Sequence, residues 1–102
     1  MRASFSKGES EKFGKVVTLL NVLGNPTRLA IVELLCKEDK LMVTEIYKRL
    51  GLSQAVVSNY LILLRVKGVL TSVRVGTRIY YSLTNPKVKE LIACLEVGLQ
   101  DS

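Results

Sequence analysis

Hydrophobic side chains recur at helical spacing along the first third of the chain. From Glu9 to Leu23 apolar residues return every three or four positions, and from Pro26 to Cys36 they occupy most sides of a helix. Between the two segments, Gly24 is followed by Asn25, a favourable N-cap residue, and by a proline at the first helical position. The pattern predicts an amphipathic surface helix, a sharp break and a central core helix.

The segment from Leu50 to Lys67 contains the end of one helix, a tight turn and a second helix. A brief helix that begins near Val43 is closed by Gly51, since glycine adopts the left-handed C-terminal cap at least cost. Ser53 then caps the following helix, and Gly68 ends it. This arrangement is a helix-turn-helix.

At about 100° per residue, the second helix of this motif has two different faces. Apolar side chains share one arc: Val57, Tyr60, Leu61 and Leu64. Small residues, amides, a hydroxyl and an arginine lie on the other: Gln54, Ala55, Ser58, Asn59, Ile62 and Arg65. One face packs and the other is free to contact a ligand. A solvated helix of any α-domain shows the same pattern, so this helix alone leaves both interpretations open.

The hydropathy period changes from that of a helix to that of strands beyond the motif. Residues 69–75 and Arg78–Leu83 are rich in β-branched and aromatic side chains, and Gly76 and Thr77 between them form a hairpin turn signal. This hairpin is a two-stranded wing. A further short strand is predicted at residues 41–43.

A last helix is predicted from the pair Asn85-Pro86, which repeats the cap-and-start sequence of the second helix, to about Val97. The order is then helix, helix, short strand, helix, helix, hairpin, helix. That order is typical of a winged helix-turn-helix, a mainly α structure with a small β-hairpin (α+β).

Length and composition limit the chain to one small domain. Its 102 residues are 48% apolar, which favours folding, and the polar residues 1–8 are predicted to form a flexible arm before a single domain at 9–99. The sequence shows neither a leader peptide nor an apolar run long enough to span a membrane. We therefore expect a cytoplasmic protein without membrane association.

The residue inventory argues against catalysis. The chain has two cysteines and no histidine, which rules out the usual Cys/His zinc patterns and the commonest general base. It also lacks a glycine-rich phosphate loop and a paired-carboxylate motif. We expect no enzymatic activity, no cofactor and no metal site.

The net charge of +6 is concentrated in one half of the chain. Between Ile46 and Lys89 there are eight cations and no acidic residue, whereas the flanks hold seven cations and all nine carboxylates. Protein surfaces normally mix both signs, so this segregation favours a polyanionic partner, although a solvated basic surface is the plain alternative.

The basic half contains the helix-turn-helix and the wing, which indicates double-stranded DNA as the partner. We expect small and amide side chains to lie nearest base edges: Ser53, Gln54, Ala55, Ser58 and Asn59. The predicted phosphate and groove contacts are basic: Lys48, Arg49, Arg65, Lys67, Arg74 and Arg78. Arg74 and Arg78 flank the wing tip, where arginines are often merely solvated; their position behind the helix-turn-helix favours contact.

Three segments carry a family resemblance. LGNPTRLAIVELL (23–35), LGLSQAVVSNYLILLRVKGVL (50–70) and GTRIYYSL (76–83) resemble, in order and spacing, those of the ArsR/SmtB-type repressors. The resemblance implies a homodimer built on the first and last helices, which binds operator DNA and is released by an inducer.

Apolar stripes on the terminal helices support a dimer independently, since one small core does not need both of them. The predicted interface residues are Val16, Leu19, Leu20, Leu23, Leu91, Ile92 and Leu95. The alternative is that both stripes simply cover the central helix.

The sequence departs from this family at its metal-sensing positions. Met42 and Thr44 stand where many relatives carry Cys-x-Cys, and Thr77 and Ile79 stand at the wing positions of another common site. Sulfur-responsive relatives carry one cysteine in each of the helices that in this chain hold Cys36 and Cys94, although at other positions. We expect Cys36 to be a core thiol and Cys94 to be the more exposed of two candidate redox residues.

We therefore predict a sequence-specific DNA-binding transcriptional regulator, a homodimeric repressor with an unidentified inducer. The alternative is a winged-helix module that binds another protein. The acid-free segment from Ile46 to Lys89 favours nucleic acid, whereas the exposed position of Ile62 favours a protein partner.

Overall fold

The computed structural model describes residues 6–100, which form five helices and three strands in the predicted order. The elements are α1 (Lys7–Leu23), α2 (Pro26–Lys37), β1 (Leu41–Met42), α3 (Val43–Leu50), α4 (Gln54–Val66), β2 (Leu70–Val75), β3 (Arg78–Leu83) and α5 (Lys87–Gln100). The winged helix-turn-helix fold predicted from the sequence is thereby confirmed.

Asparagine side chains cap the first turns of α2 and α5, as predicted, although α5 begins at Lys87 and not at the preceding proline. The Asn25 side chain accepts hydrogen bonds from the backbone N–H groups of Thr27 and Arg28, each at 3.0 Å. The Asn85 side chain accepts one from the N–H of Lys87, also at 3.0 Å. Each cap satisfies N–H groups that the first helical turn leaves without partners.

Two helices are longer than predicted. Helix α1 begins at Lys7 because Ser6 is its N-cap and accepts a hydrogen bond from the N–H of Glu9 at 3.2 Å. Residues 7 and 8 of the predicted flexible arm are therefore helical, and residues 1–5 lie outside the described residues. Helix α5 continues three residues beyond Val97, to Gln100.

The three strands form one antiparallel sheet in the order β1-β3-β2. Strands β2 and β3 pair from Leu70 with Leu83 to Val75 with Arg78, joined by the predicted two-residue turn. Gly76 takes φ +64° in that turn, where a side chain would be strained. The wing is not two-stranded throughout, because β1 pairs with Tyr80 and Tyr81 in the middle of β3.

The core surrounds α2, as its apolar sequence predicts. Ile31, Val32 and Leu35 of α2 are almost fully buried, and Ile46 of α3 packs into the same cluster. Among the described residues, no polar or charged residue is buried. The core is therefore held by apolar contact, and the polar residues remain at the surface.

The predicted dimer stripes divide between core and surface. Ile92 is only 6% exposed and belongs to the core of the chain itself, while Leu19 and Leu23 pack against that core. Val16, Leu20 and Leu95 remain about half exposed. The expectation for Ile92 needs correction, because α5 turns this residue toward the core.

No single helix in the described part of the chain has the length and hydropathy of a membrane span. Helices α1 and α2 satisfy such a test only as a pair, and they meet at a bend of 105°.

Candidate nucleic-acid interface

The turn between α3 and α4 is closed by its own backbone. Gly51 takes φ +65°, and the N–H of Leu52 then donates to the carbonyl of Tyr47 at 3.0 Å. The Ser53 hydroxyl accepts a hydrogen bond from the N–H of Val56 at 3.2 Å and so caps α4. Both signals predicted from the sequence are confirmed, and together they fix where α4 begins.

Helix α4 is anchored along one face. Val57, Leu61 and Leu64 are completely buried, and Tyr60 is half-buried beside them, as the helical projection predicts. Deleting such side chains typically costs several kcal/mol, which makes this a rigid attachment. The helix is therefore presented to solvent in one orientation.

The other face of α4 carries the predicted base-reading groups. Gln54, Ala55 and Asn59 are exposed, and Ser58 is half-buried at the edge of this face. No side-chain hydrogen bond to another described residue involves Gln54, Ser58 or Asn59. Their amides and hydroxyl are free to bond to a ligand. Ser53 differs, since its oxygen already accepts one hydrogen bond at the cap, which leaves its O–H and one lone pair for a ligand.

The six predicted backbone-contacting cations fall into two groups. Lys48, Arg65, Lys67 and Arg78 are exposed, and within residues 6–100 their side chains have no hydrogen-bonding or ionic partner.

Arg49 and Arg74 already have partners. The Arg49 guanidinium forms an ion pair with the Glu38 carboxylate at 2.7 Å, which joins α3 to the end of α2. The Nε of Arg74 donates to the carbonyl oxygen of Gly76 at 3.0 Å and folds over the wing turn. In each of them one guanidinium nitrogen is engaged, and the other N–H groups, which have no partner among the described residues, can still donate to a phosphate.

Arg28 supports this site although the sequence does not single it out. Its guanidinium donates to the carbonyl oxygens of Val22 and Asn21, each at 3.1 Å, and lies 5.7 Å from the ring centre of Tyr60. It thus satisfies the C-terminal carbonyls of α1 and contacts α4. An arginine in the first turn of a helix gives no local signal of such long-range partners.

The two cysteines differ as expected. Cys36 is half-buried against the core, whereas Cys94 is exposed. Burial raises the pKa of the Cys36 thiol; Lys89 opposes this rise, and the carboxylates of Glu33 and Glu96 add to it. A raised pKa keeps the thiol protonated and makes it a poor nucleophile.

No cluster of three or more histidine, cysteine or acidic side chains within the described residues could hold a metal ion. The candidate site that the described residues assemble is the exposed face of α4 with the basic residues around it.

An anchored helix with an exposed face, preceded by a short helix and followed by a β-hairpin, is the arrangement of a winged helix-turn-helix protein. The family model for bacterial regulatory proteins of the arsR family matches residues 25–72. The transcriptional repressor PagR of Bacillus anthracis is 46% identical over 77 residues, which are 76% of this chain and 77% of PagR. The chain belongs to the arsR family, as the three sequence segments indicate, and is a DNA-binding transcriptional regulator, not an enzyme.

Solved structures agree with this assignment. The crystal structure of PagR superposes with a TM-score of 0.77 at 41% identity, covering 84% of this chain and 98% of PagR. The homodimeric winged helix-turn-helix DNA-binding domain of Mb0332 from Mycobacterium bovis gives a TM-score of 0.82 at 27% identity, covering 98% of this chain and 92% of that domain.

Relatives by sequence include an activator as well as a repressor. The transcriptional activator HlyU of Vibrio cholerae is 35% identical over 81 residues, which are 79% of this chain and 74% of HlyU.

Proposed function

We propose that this protein is a homodimeric repressor that binds an operator with one α4 helix of each subunit in the major groove and is released by an inducer. The observation that carries the proposal is the exposed face of α4, whose amides and hydroxyl have no side-chain partner among the described residues, on a helix whose opposite face is completely buried. The similarity to PagR, a repressor, supports the direction of regulation. Such a protein acts on chromosomal DNA, so we place it in the cytoplasm.

The exposed residues divide into two roles. Amides and hydroxyls on α4 read base edges, because Asn and Gln match the donor and acceptor pattern of adenine. The unpaired cations position the protein by contacting phosphates, which adds affinity without sequence information. Arg78 is the one of these four cations that lies at the wing tip, where it is exposed and has no partner among the described side chains.

The proposed dimer surface combines exposed apolar residues of α1 and α5. They are Phe13, Val16, Val17, Leu20, Leu95 and Val97, each between 42% and 57% exposed. Apolar side chains at this density on a small protein favour burial against a second copy. The homodimeric structure of Mb0332 supports the same assembly.

Titration of the purified protein onto duplexes from its own upstream region tests the DNA-binding proposal. We expect one duplex to bind more tightly than random sequence, by a factor of about 10³ or more at physiological salt. Transcription from that duplex should fall when the protein is added. Equal affinity for all duplexes would contradict the proposal, and a rise in transcription would assign the protein the role that HlyU has in its own species.

A protein partner is the second candidate. Ile62 on the exposed face of α4 is 49% exposed, and apolar side chains at such positions also occur at protein interfaces. If Ile62→Ala removed a protein interaction but left operator binding unchanged, this second function would be favoured.

A further inference from the structure

Part of the exposed face of α4 is apolar. At about 100° per residue, four side chains lie within about 50° of the direction opposite the buried arc of Val57, Leu61 and Leu64. These four residues are Ala55, Asn59, Ile62 and Val66, which we call the outer row. Ile62 and Val66 are 49% and 73% exposed. Gln54, Ser58 and Arg65 lie on one flank of this row.

The outer row therefore presents methyl groups and one amide at the centre of the proposed DNA contact. The four residues of the outer row include no lysine or arginine, which are the side chains that pair bidentately with guanine; Arg65, the one such residue of α4, lies on the flank. They also include no carboxylate to accept from cytosine. The groups that remain match the A·T pair: an amide for adenine and apolar contacts for the thymine C5-methyl group.

The charge around the outer row favours DNA over a protein as the partner of this surface. The outer row lies inside the acid-free segment from Ile46 to Lys89, with Arg65 on α4 itself and Lys67 directly after it. Both cations are exposed and have no partner among residues 6–100. An apolar strip next to unpaired cations fits thymine methyl groups beside a phosphate backbone.

We propose that Ala55 and Ile62 are specificity-determining residues that contact thymine methyl groups, so that each half-site is read mainly through A·T pairs. This inference rests on the proposed function and adds the chemistry of the bases. The two residues are seven positions apart, about 10 Å along the helix. At about 3.4 Å per base step, the two contacted thymines lie about three steps apart.

Replacement of single thymines by deoxyuridine tests this directly, because uracil keeps the base pair and removes only the methyl group. Duplexes are first selected from a random pool with the purified full-length protein, and the tightest binder is then substituted one thymine at a time. At a contacted thymine we expect about fourfold weaker binding, equivalent to about 0.8 kcal/mol for one buried methyl group. Substitution in both half-sites should weaken binding about 15-fold.

Matched variants locate the contact. The penalty of one uracil should disappear in Ile62→Ala, and the penalty of a second uracil about three steps away should disappear in Ala55→Gly. Val56→Ala is the control, because Val56 is 41% exposed on the same helix but lies off the outer row. That variant should show the wild-type penalty at both positions.

The outcomes separate this inference from the proposed function. If the selected duplexes share a sequence but no uracil weakens binding, the thymine contacts are wrong and the proposed function stands. The same holds if the penalties persist unchanged in Ile62→Ala and Ala55→Gly. If selection enriches no sequence at all, both the proposed function and this inference are wrong.

Discussion

Arg49 shows how one long-range contact alters a residue's predicted role. Sequence alone places Arg49 with the other cations of the basic half, because nothing local to α3 indicates the Glu38 carboxylate at 2.7 Å. The ion pair is about half exposed on both sides, so it contributes little to stability. It does place a carboxylate beside the guanidinium, which weakens the attraction that Arg49 would have for a phosphate.

Glu38→Gln should therefore strengthen DNA binding. With Arg49 released, we expect tighter binding to random duplexes and a dependence of log K on log salt that is steeper by about 1.8 per dimer, since each new phosphate contact releases about 0.9 counterion. Asp39→Asn is the matched control: it changes the net charge equally, but its only ion-pair partner among the described residues is Lys89, at 3.7 Å. Equal effects of the two variants would show that Arg49 makes no phosphate contact.

Thiol reactivity should distinguish the two cysteines. Cys94 is exposed and Cys36 is half-buried with its pKa raised by burial, so iodoacetamide at about pH 8 should alkylate Cys94 first. Peptide mass spectrometry over time measures both rates. Faster alkylation of Cys36 would contradict the packing described for α2.

The same pKa shift implies a stability change at alkaline pH. A thiol whose folded-state pKa lies above its unfolded value stabilises the protein fully below the unfolded pKa, and this contribution is lost as pH rises through the folded pKa. The free energy of unfolding should therefore decline above about pH 9 less steeply in Cys36→Ala than in Cys94→Ala, which retains the buried thiol. Urea denaturation at a series of pH values measures both slopes, and identical slopes would contradict the shift.

At the scale of elements, local capping signals predicted most of the fold. Four residues set the helix ends through contacts with backbone groups only a few positions away: Asn25, Gly51, Ser53 and Asn85. Because these contacts are local, the positions of the helix ends can be predicted from the sequence. Strand β1 is different. It has two residues, and its pairing with Tyr80 and Tyr81 depends on chain segments that lie about 40 positions apart, so no local pattern shows that it completes the sheet.

The orientation of α5 was harder to predict for a related reason. A hydrophobic stripe shows which residues avoid water but not which neighbour covers them. Ile92 packs in the core, whereas Leu95 on the same stripe is 51% exposed. The apolar surface of α5 therefore includes Leu95 but not Ile92.

The helix-turn-helix turn should be sensitive to a single methyl group. Gly51 has φ +65°, and no atom lies within 4 Å of the place that an alanine methyl would occupy, so Gly51→Ala introduces backbone strain without a clash. We expect a loss of about 1 kcal/mol in the free energy of unfolding. Gly14→Ala, in the interior of α1 and equally unobstructed, should instead stabilise the protein by about 0.5 to 1 kcal/mol. Urea denaturation at one protein concentration measures both, and equal effects would contradict the strained turn.

At the scale of the whole molecule, the proposed function requires two linked α4 helices. Leu20 is 55% exposed on α1 and distant in sequence from every proposed DNA contact, so Leu20→Glu should weaken the dimer and, through it, operator binding. Sedimentation at micromolar concentration should show a dimer for the wild type and a lighter species for the variant. A monomeric wild type, or a monomeric variant with unchanged operator affinity, would contradict the dimer proposal.

The central claim is that α4 reads bases while the surrounding cations contact phosphates. One set of titrations compares Asn59→Ala, Gln54→Ala and Arg78→Ala with the wild type, on operator and on random duplexes, at several salt concentrations. The amide variants should lose about 1 to 3 kcal/mol of discrimination between the two duplexes and keep the wild-type salt dependence.

Arg78→Ala should weaken binding to both duplexes alike and reduce the slope of log K against log salt by about 1.8 per dimer. If both amide variants instead keep the wild-type ratio of operator to random affinity, α4 does not read bases, and the central claim is wrong.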